Sequence, residues 1–339
     1  MALYHWAGVS PAPALFMFRP RHSIFVLILL WGSAATLSAA QAGKKPAATD
    51  ATFSAQRAVS LAQSGNCKEA LPLLKQAMPH AADKDLKRNV GFAGVRCAMF
   101  ADQPDVAEDF LRFLNREFPR DPDVLYLSVH TYSDLSTRAA AQLATTAPKS
   151  AQALELDAEA LEAQGKWDEA AKKYRLILQQ NPRMPGIHFR LGRLLLSKPN
   201  PPSTVAEEAK KEMQQELEID PSNAGAEYVL GALAQQNQLW DEAIGHFSRA
   251  AKLDPTFGDA FVGLGACLGS AKRYSEAIAP LENAIKLEPE NPAPHYLLAI
   301  AYSRTGRKED GDKQFAIQRQ LTQKGAAGED NPQSQAKPN

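Results

Sequence analysis

Four prolines fall at a nearly fixed interval, Pro182, Pro221, Pro255 and Pro289, at steps of 39, 34 and 34 residues. A period of this length marks one supersecondary unit copied along the chain, each copy unable to bury its apolar face alone. Other residues travel with the prolines. Across segments 151–184, 185–223, 224–257 and 258–291, equivalent positions hold Ala158, Gly192, Gly231 and Gly265. Ala170, Ala209, Ala243 and Ala277 follow, and four places later stand Tyr174, Met213, Phe247 and Leu281. Small residues in both halves let two antiparallel helices approach closely. The large apolar residue lies on the same helical face as the alanine before it. Proline then ends the second helix, because it lacks a donor and clashes with the preceding turn. Gln164-Gly165-Lys166, Gln236-Asn237-Gln238 and Ala271-Lys272-Arg273 are the predicted turns between helices.

The stretch Leu161-Glu-Ala-Gln-Gly-Lys-Trp-Asp-Glu-Ala170, with Tyr174 and Pro182 behind it, resembles the tetratricopeptide repeat family across its turn and second helix. The resemblance implies an all-α fold, a helix-turn-helix solenoid wound as a right-handed superhelix of about eight units. The four central segments are flanked by weaker copies at 51–84, 88–121, 122–150 and 292–323, of which 122–150 is a shortened copy. In the unit 185–223, Ser197–Val205 lengthens the turn, which a solenoid accommodates as a surface loop.

Residues 1–42 stand outside the repeats. Arg19, Arg21 and His22 precede the apolar run Ile24–Trp31, and small residues follow, the order of a secretory signal peptide. A start at Met17 would make that signal compact. The competing reading is an uncleaved anchor over 23–40, which is the one route to membrane contact in this sequence. Residues 43–50 read as a linker and 324–339 as a disordered tail. The expected location is outside the cytoplasm, periplasmic or secreted.

Of the three cysteines, Cys67 occupies the place where Trp167, Trp240 and Tyr274 stand in other units, at the start of a second helix. Its side chain then leans towards the next first helix, where Cys97 lies. A Cys67–Cys97 bridge is one expectation for an exported protein; two small buried thiols are the other. Basic and acidic residues balance at 38 each, which leaves no electrostatic footprint for nucleic acid or anionic lipid. The seven histidines are dispersed, and no phosphate loop, nucleophile turn or CxxC pair occurs. Asp168-Glu169 and Asp241-Glu242 sit where acids favour a helix start. The sequence therefore points away from an enzyme, from cofactors and from metal or small-molecule substrates, and towards binding.

In tetratricopeptide proteins the first helix of each unit forms the inner wall. By that analogy the groove residues are Phe92 and Arg96, Glu155 and Glu159, Phe189 and Arg193, Tyr228, and Tyr296 with Arg304. Phe189, Tyr228 and Tyr296 would form an aromatic stripe that grips an apolar peptide, and Glu155–Glu162 would favour a basic segment of it. The family's clamp for C-terminal carboxylates is absent, since Glu155, Glu159, Tyr228, Ala232, Val262 and Ala266 occupy its positions. The resemblance implies a non-catalytic scaffold that binds a protein or peptide segment in its concave groove and helps assemble envelope complexes. A self-associating structural solenoid and an accessory subunit of an envelope enzyme complex are the alternatives.

Overall fold

Each repeat of the second half becomes a pair of antiparallel helices, and the reason is visible at the helix ends. Asn181, Asp220, Asp254 and Glu288 close second helices, each donating its N–H four residues back, and each sits directly before one of the four prolines. Pre-proline residues are pushed to extended backbone, which turns the chain out of the helix. At the turns inside the hairpins one residue adopts a left-handed conformation. Gly165 and Gly306 do so freely, whereas Gln238 and Lys272 do so at φ 60° and 63°. The N–H three residues after the helix then reaches back five positions, as from Arg273 to the Leu268 carbonyl.

A computed structural model describes residues 47–81 and 83–329. The expected signal segment and Met17 lie outside them. The chain divides into two compact units that meet in sequence at Pro148 and Lys149. In the first, α1 (Ala47–Gln63) pairs with α2 (Cys67–Ala77), and α3 (Lys84–Phe100) pairs with α4 (Pro104–Glu117). A single helix, α5 (Pro122–Thr146), follows.

The second unit holds five hairpins. These are α6 (Ala151–Ala163) with α7 (Trp167–Gln180), α8 (Ile187–Ser197) with α9 (Val205–Ile219), and α10 (Ala224–Gln236) with α11 (Trp240–Leu253). Then come α12 (Gly258–Ser270) with α13 (Tyr274–Leu287), and α14 (Pro292–Arg304) with α15 (Lys308–Glu329). Among the described residues there is no strand, and no helix is long and apolar enough to cross a membrane.

Tyr174, Met213, Phe247 and Leu281 are fully buried. Each buried side chain of this size contributes about 1.5–3 kcal/mol of transfer free energy. The small residue of the first helix serves them in particular: a Cβ at Gly231 would press on the Phe247 ring, and one at Gly265 would fall inside Leu281. The glycines thus make room for the large residue rather than for the facing alanine alone.

Three boundaries differ from the sequence reading. Residues 122–150 are not a shortened hairpin, because α5 runs unbroken and no second helix follows it. The expected linker is already helical from Ala47, and the last helix continues through Glu329 into the expected tail, whose remainder lies outside the described residues.

Candidate functional site

The first unit carries a groove of about 460 Å³ between α1, α3 and α5. Val59 and Gln63 come from α1, and Asn89, Phe92, Ala93, Val95, Arg96 and Met99 from α3. Leu127, His130, Thr131 and Asp134 of α5 form the facing wall.

Local chemistry fixes these walls. Asp83 caps α3 by accepting from the Leu86 N–H at 2.8 Å. Asp121 caps α5 by accepting from the N–H groups of Asp123 and Val124. Arg88 of α3 donates to that same Asp121 at 3.2 Å and holds its carboxyl below the usual carboxylate range. A disulfide joins Cys67, at the start of α2, to Cys97 of α3 with Cα atoms 4.9 Å apart. Both cysteines are buried. Arg96, next to Cys97, donates from Nη2 to the Ala62 carbonyl of α1 at 3.1 Å. Two hairpins are therefore tied across their junction by one covalent bond and one hydrogen bond.

The groove mixes apolar surface with polar groups. Phe92 is half-buried, and the Arg88 guanidinium lies over its ring at 4.7 Å. Asp134 is answered by Arg138 at 3.0 Å, and His130 packs edge-on against Tyr126 with centroids 4.2 Å apart. Arg96 differs from its neighbours. Among the described residues no carboxylate lies within ion-pair distance of it. The groove thus holds one uncompensated positive charge beside an aromatic face.

In the second unit the expected groove residues do other work. Arg190 of α8 reaches back one repeat to Glu155 at 2.9 Å and Glu159 at 2.5 Å. Arg193 reaches Glu162 at 3.1 Å, and the Tyr174 hydroxyl donates to the same carboxylate at 2.8 Å. Burial and that carboxylate push the Tyr174 phenol up from its ordinary range. The acidic run expected to attract a basic peptide is therefore already neutralised by the next repeat. Arg190 itself was missed by sequence reasoning. Its signal is the offset of 31 and 35 residues to two glutamates, about one repeat period.

The aromatic stripe is not presented as one surface. Phe189 packs on Met213, Ala226 and Leu230 and fills the space a Cβ at Gly225 would take. Tyr228 lies against Phe247 and Phe257 with centroids 5.5 and 4.8 Å away, and burial raises its phenol pKa. Only Tyr296 of the three stays about half exposed, edge-on to Phe315. Arg304 sits over the Tyr274 ring at 6.0 Å. Phe189 seals its repeat junction because the neighbouring first helix offers Gly225 there. A smaller groove of about 200 Å³ runs between α12 and α14 over Ala266, Gly269 and Ile300. Among the described residues no group of three His, Cys, Asp or Glu side chains could hold a metal ion. Cys267 is a buried free thiol that burial pushes up to about 11.

Comparison with known proteins bears on the repeats. Family models described as "Tetratricopeptide repeat" match residues 134–185 and 157–224, and one described as "TPR repeat" matches 270–306. No curated protein matches the chain. Among solved structures, one titled "Crystal structure of MamA" is 22% identical, covering 50% of this chain and 96% of its own, with a TM-score of 0.45. "MamA 41-end from Desulfovibrio magneticus RS-1" is 17% identical, covering 51% and 96%, also at 0.45. "YrrB: a TPR protein with an unusual peptide-binding site" is 17% identical, covering 54% and 92%, at 0.46. With hairpins following the sequence period and family models matching parts of it, the chain carries tetratricopeptide repeats over residues 134–224 and 270–306 and has an all-α solenoid fold.

Proposed function

We propose that this chain is a non-catalytic interaction scaffold that binds an extended peptide segment in the groove between α1, α3 and α5. The observation that carries this reading is Arg96, a cation without a carboxylate partner, set beside the half-buried ring of Phe92. Aromatics and arginine are the residue types that dominate interface energetics. An acidic side chain of the ligand would pair with Arg96, while an apolar one covers Phe92, Met99 and Leu127. The exposed amides of Gln63 and Asn89 suit the ligand's main chain.

Peptide display against the full chain tests the reading. The selection should enrich sequences pairing an acidic with a bulky apolar residue. Arg96→Glu should weaken the selected peptide at least about tenfold, or about 1.4 kcal/mol. Equal binding to both proteins would contradict the assignment.

The scaffold works outside the cytoplasm in this reading, in assembly of an envelope complex. A buried disulfide persists in an oxidising compartment, and the basic–apolar–small order of residues 19–42 supplies an export signal. The mass of the chain recovered from cells tests both points. It should lack residues 1–42 and carry no free thiol at Cys67 or Cys97; retention of the segment with both thiols free would contradict export.

A further inference from the structure

Helix α5 behaves as the first helix of a repeat whose second helix is missing. Set Pro122 level with Ala151, Pro185, Ala224, Gly258 and Pro292, where the second unit's repeats begin. Positions three, seven and ten of α5 are then Val124, Ser128 and Thr131, and all three are buried. Asn115 of α4 donates to the Ser128 hydroxyl at 3.1 Å, so this side of α5 packs on the preceding hairpin.

Positions four and eight face elsewhere, onto the hairpin's own second helix, both of them in the hairpins of α8 and α10, position eight in that of α12 and position four in that of α14. At position four, His188 meets Glu212, Glu227 meets His246, and His295 meets Gln314, each at 2.6 Å. At position eight, Gly231 and Gly265 lie under Phe247 and Leu281. In α5 these positions are Leu125 and Val129, with Tyr132 three residues further along the same stripe. They are 48%, 66% and 50% exposed. Only residues 147–150 separate α5 from α6, so the chain has no room for a second helix there.

We infer that this stripe docks an amphipathic helix of a partner protein, which completes the third repeat in trans. The hairpins dictate the chemistry of that helix. Their second helices carry alanine at the close contact and a large apolar residue four places later, as in Ala243 and Phe247. Val129 stands where the other hairpins have glycine or alanine, so the partner must place its smallest residue opposite. The stripe bears no charge, which disfavours a charged partner face. This inference is independent of the peptide groove, which uses Leu127, His130 and Asp134 on another side of α5.

The probe is a fluorescent synthetic peptide of residues 240–253 carrying Phe247→Ala, which puts a small residue opposite Val129 and keeps Trp240 and Ile244 as its large apolar residues. Anisotropy should show saturable binding to the full chain. Val129→Asp, at an exposed site that leaves the fold intact, should weaken it at least about tenfold, while Phe92→Ala leaves it unchanged. Absence of saturation, or equal affinity for the Val129→Asp protein, would overturn the inference. Sedimentation supplies a second arm: concentration-dependent dimers abolished by Val129→Asp would give the stripe to a second copy and also overturn it.

Discussion

Replacing Cys67 and Cys97 together by alanine should destabilise the first unit by about 3–4 kcal/mol and leave unfolding of the second unit unchanged. The bridge closes a segment of 30 residues. Constraining a loop of that length in the unfolded chain accounts for the magnitude, on the chain-entropy model. The effect is large in context because, among the described residues, two hairpins and one further helix share this unit's core. Alanine, unlike serine, adds no buried hydroxyl in search of a partner. Both sulfurs are buried, so a reductant should reach them only when the unit opens. Urea unfolding followed by hydrogen exchange separates the units. A loss below about 1 kcal/mol in the first unit would contradict the staple's role.

In the second unit the largest single effect is expected from Glu216→Ala. The Glu216 side chain is wholly inaccessible, yet it is ionisable and lies on α9 where the next two repeats have Ala250 and Ala284. Its presence follows from a defect one helix earlier. Helices α6, α10 and α14 bring their own caps in Ser150, Asn223 and Asn291. Helix α8 follows Pro185-Gly186, with Gly186 at φ 84° in the cap position and no side chain of its own to cap with. Glu216 supplies the cap from the second helix: Oε1 accepts from the Gly186 N–H at 2.7 Å and Oε2 from the Phe189 N–H at 3.2 Å. A carboxylate at a helix start also opposes the positive end of the dipole. Alanine would leave both amides without an acceptor, at a cost of about 2–4 kcal/mol. Glutamine, with one acceptor oxygen, should fall between. Denaturant unfolding of both variants checks this, and an alanine protein within about 1 kcal/mol of the parent would refute it.

The hairpins were legible because their signals are local: a proline after each second helix, a turn, and alanine with a large residue four places on. What lay between repeats was not. Arg190 pairs with Glu155 and Glu159 across the repeat junction, and no local pattern marks them as partners. Phe189 and Tyr228 share a register position with Tyr296. Which of them meets solvent depends on what the fold places beside each ring, Gly225 for Phe189 and Phe257 for Tyr228. The third repeat was misjudged for a readable reason. After Pro122, residues 123–146 contain no Gly, Pro or Asn to make a turn, so the chain stays helical to Thr146. Arg96 was named from its position, but its lack of a carboxylate partner is a fact of three dimensions.

Hydrogen exchange on the full chain, with and without a display-selected peptide, measures the central claim most directly. Slowed exchange at residues 89–99 and 127–134, abolished by Arg96→Glu, is the result this account predicts. Protection confined to α6, α8 and α10, with the first unit unaffected, would contradict it.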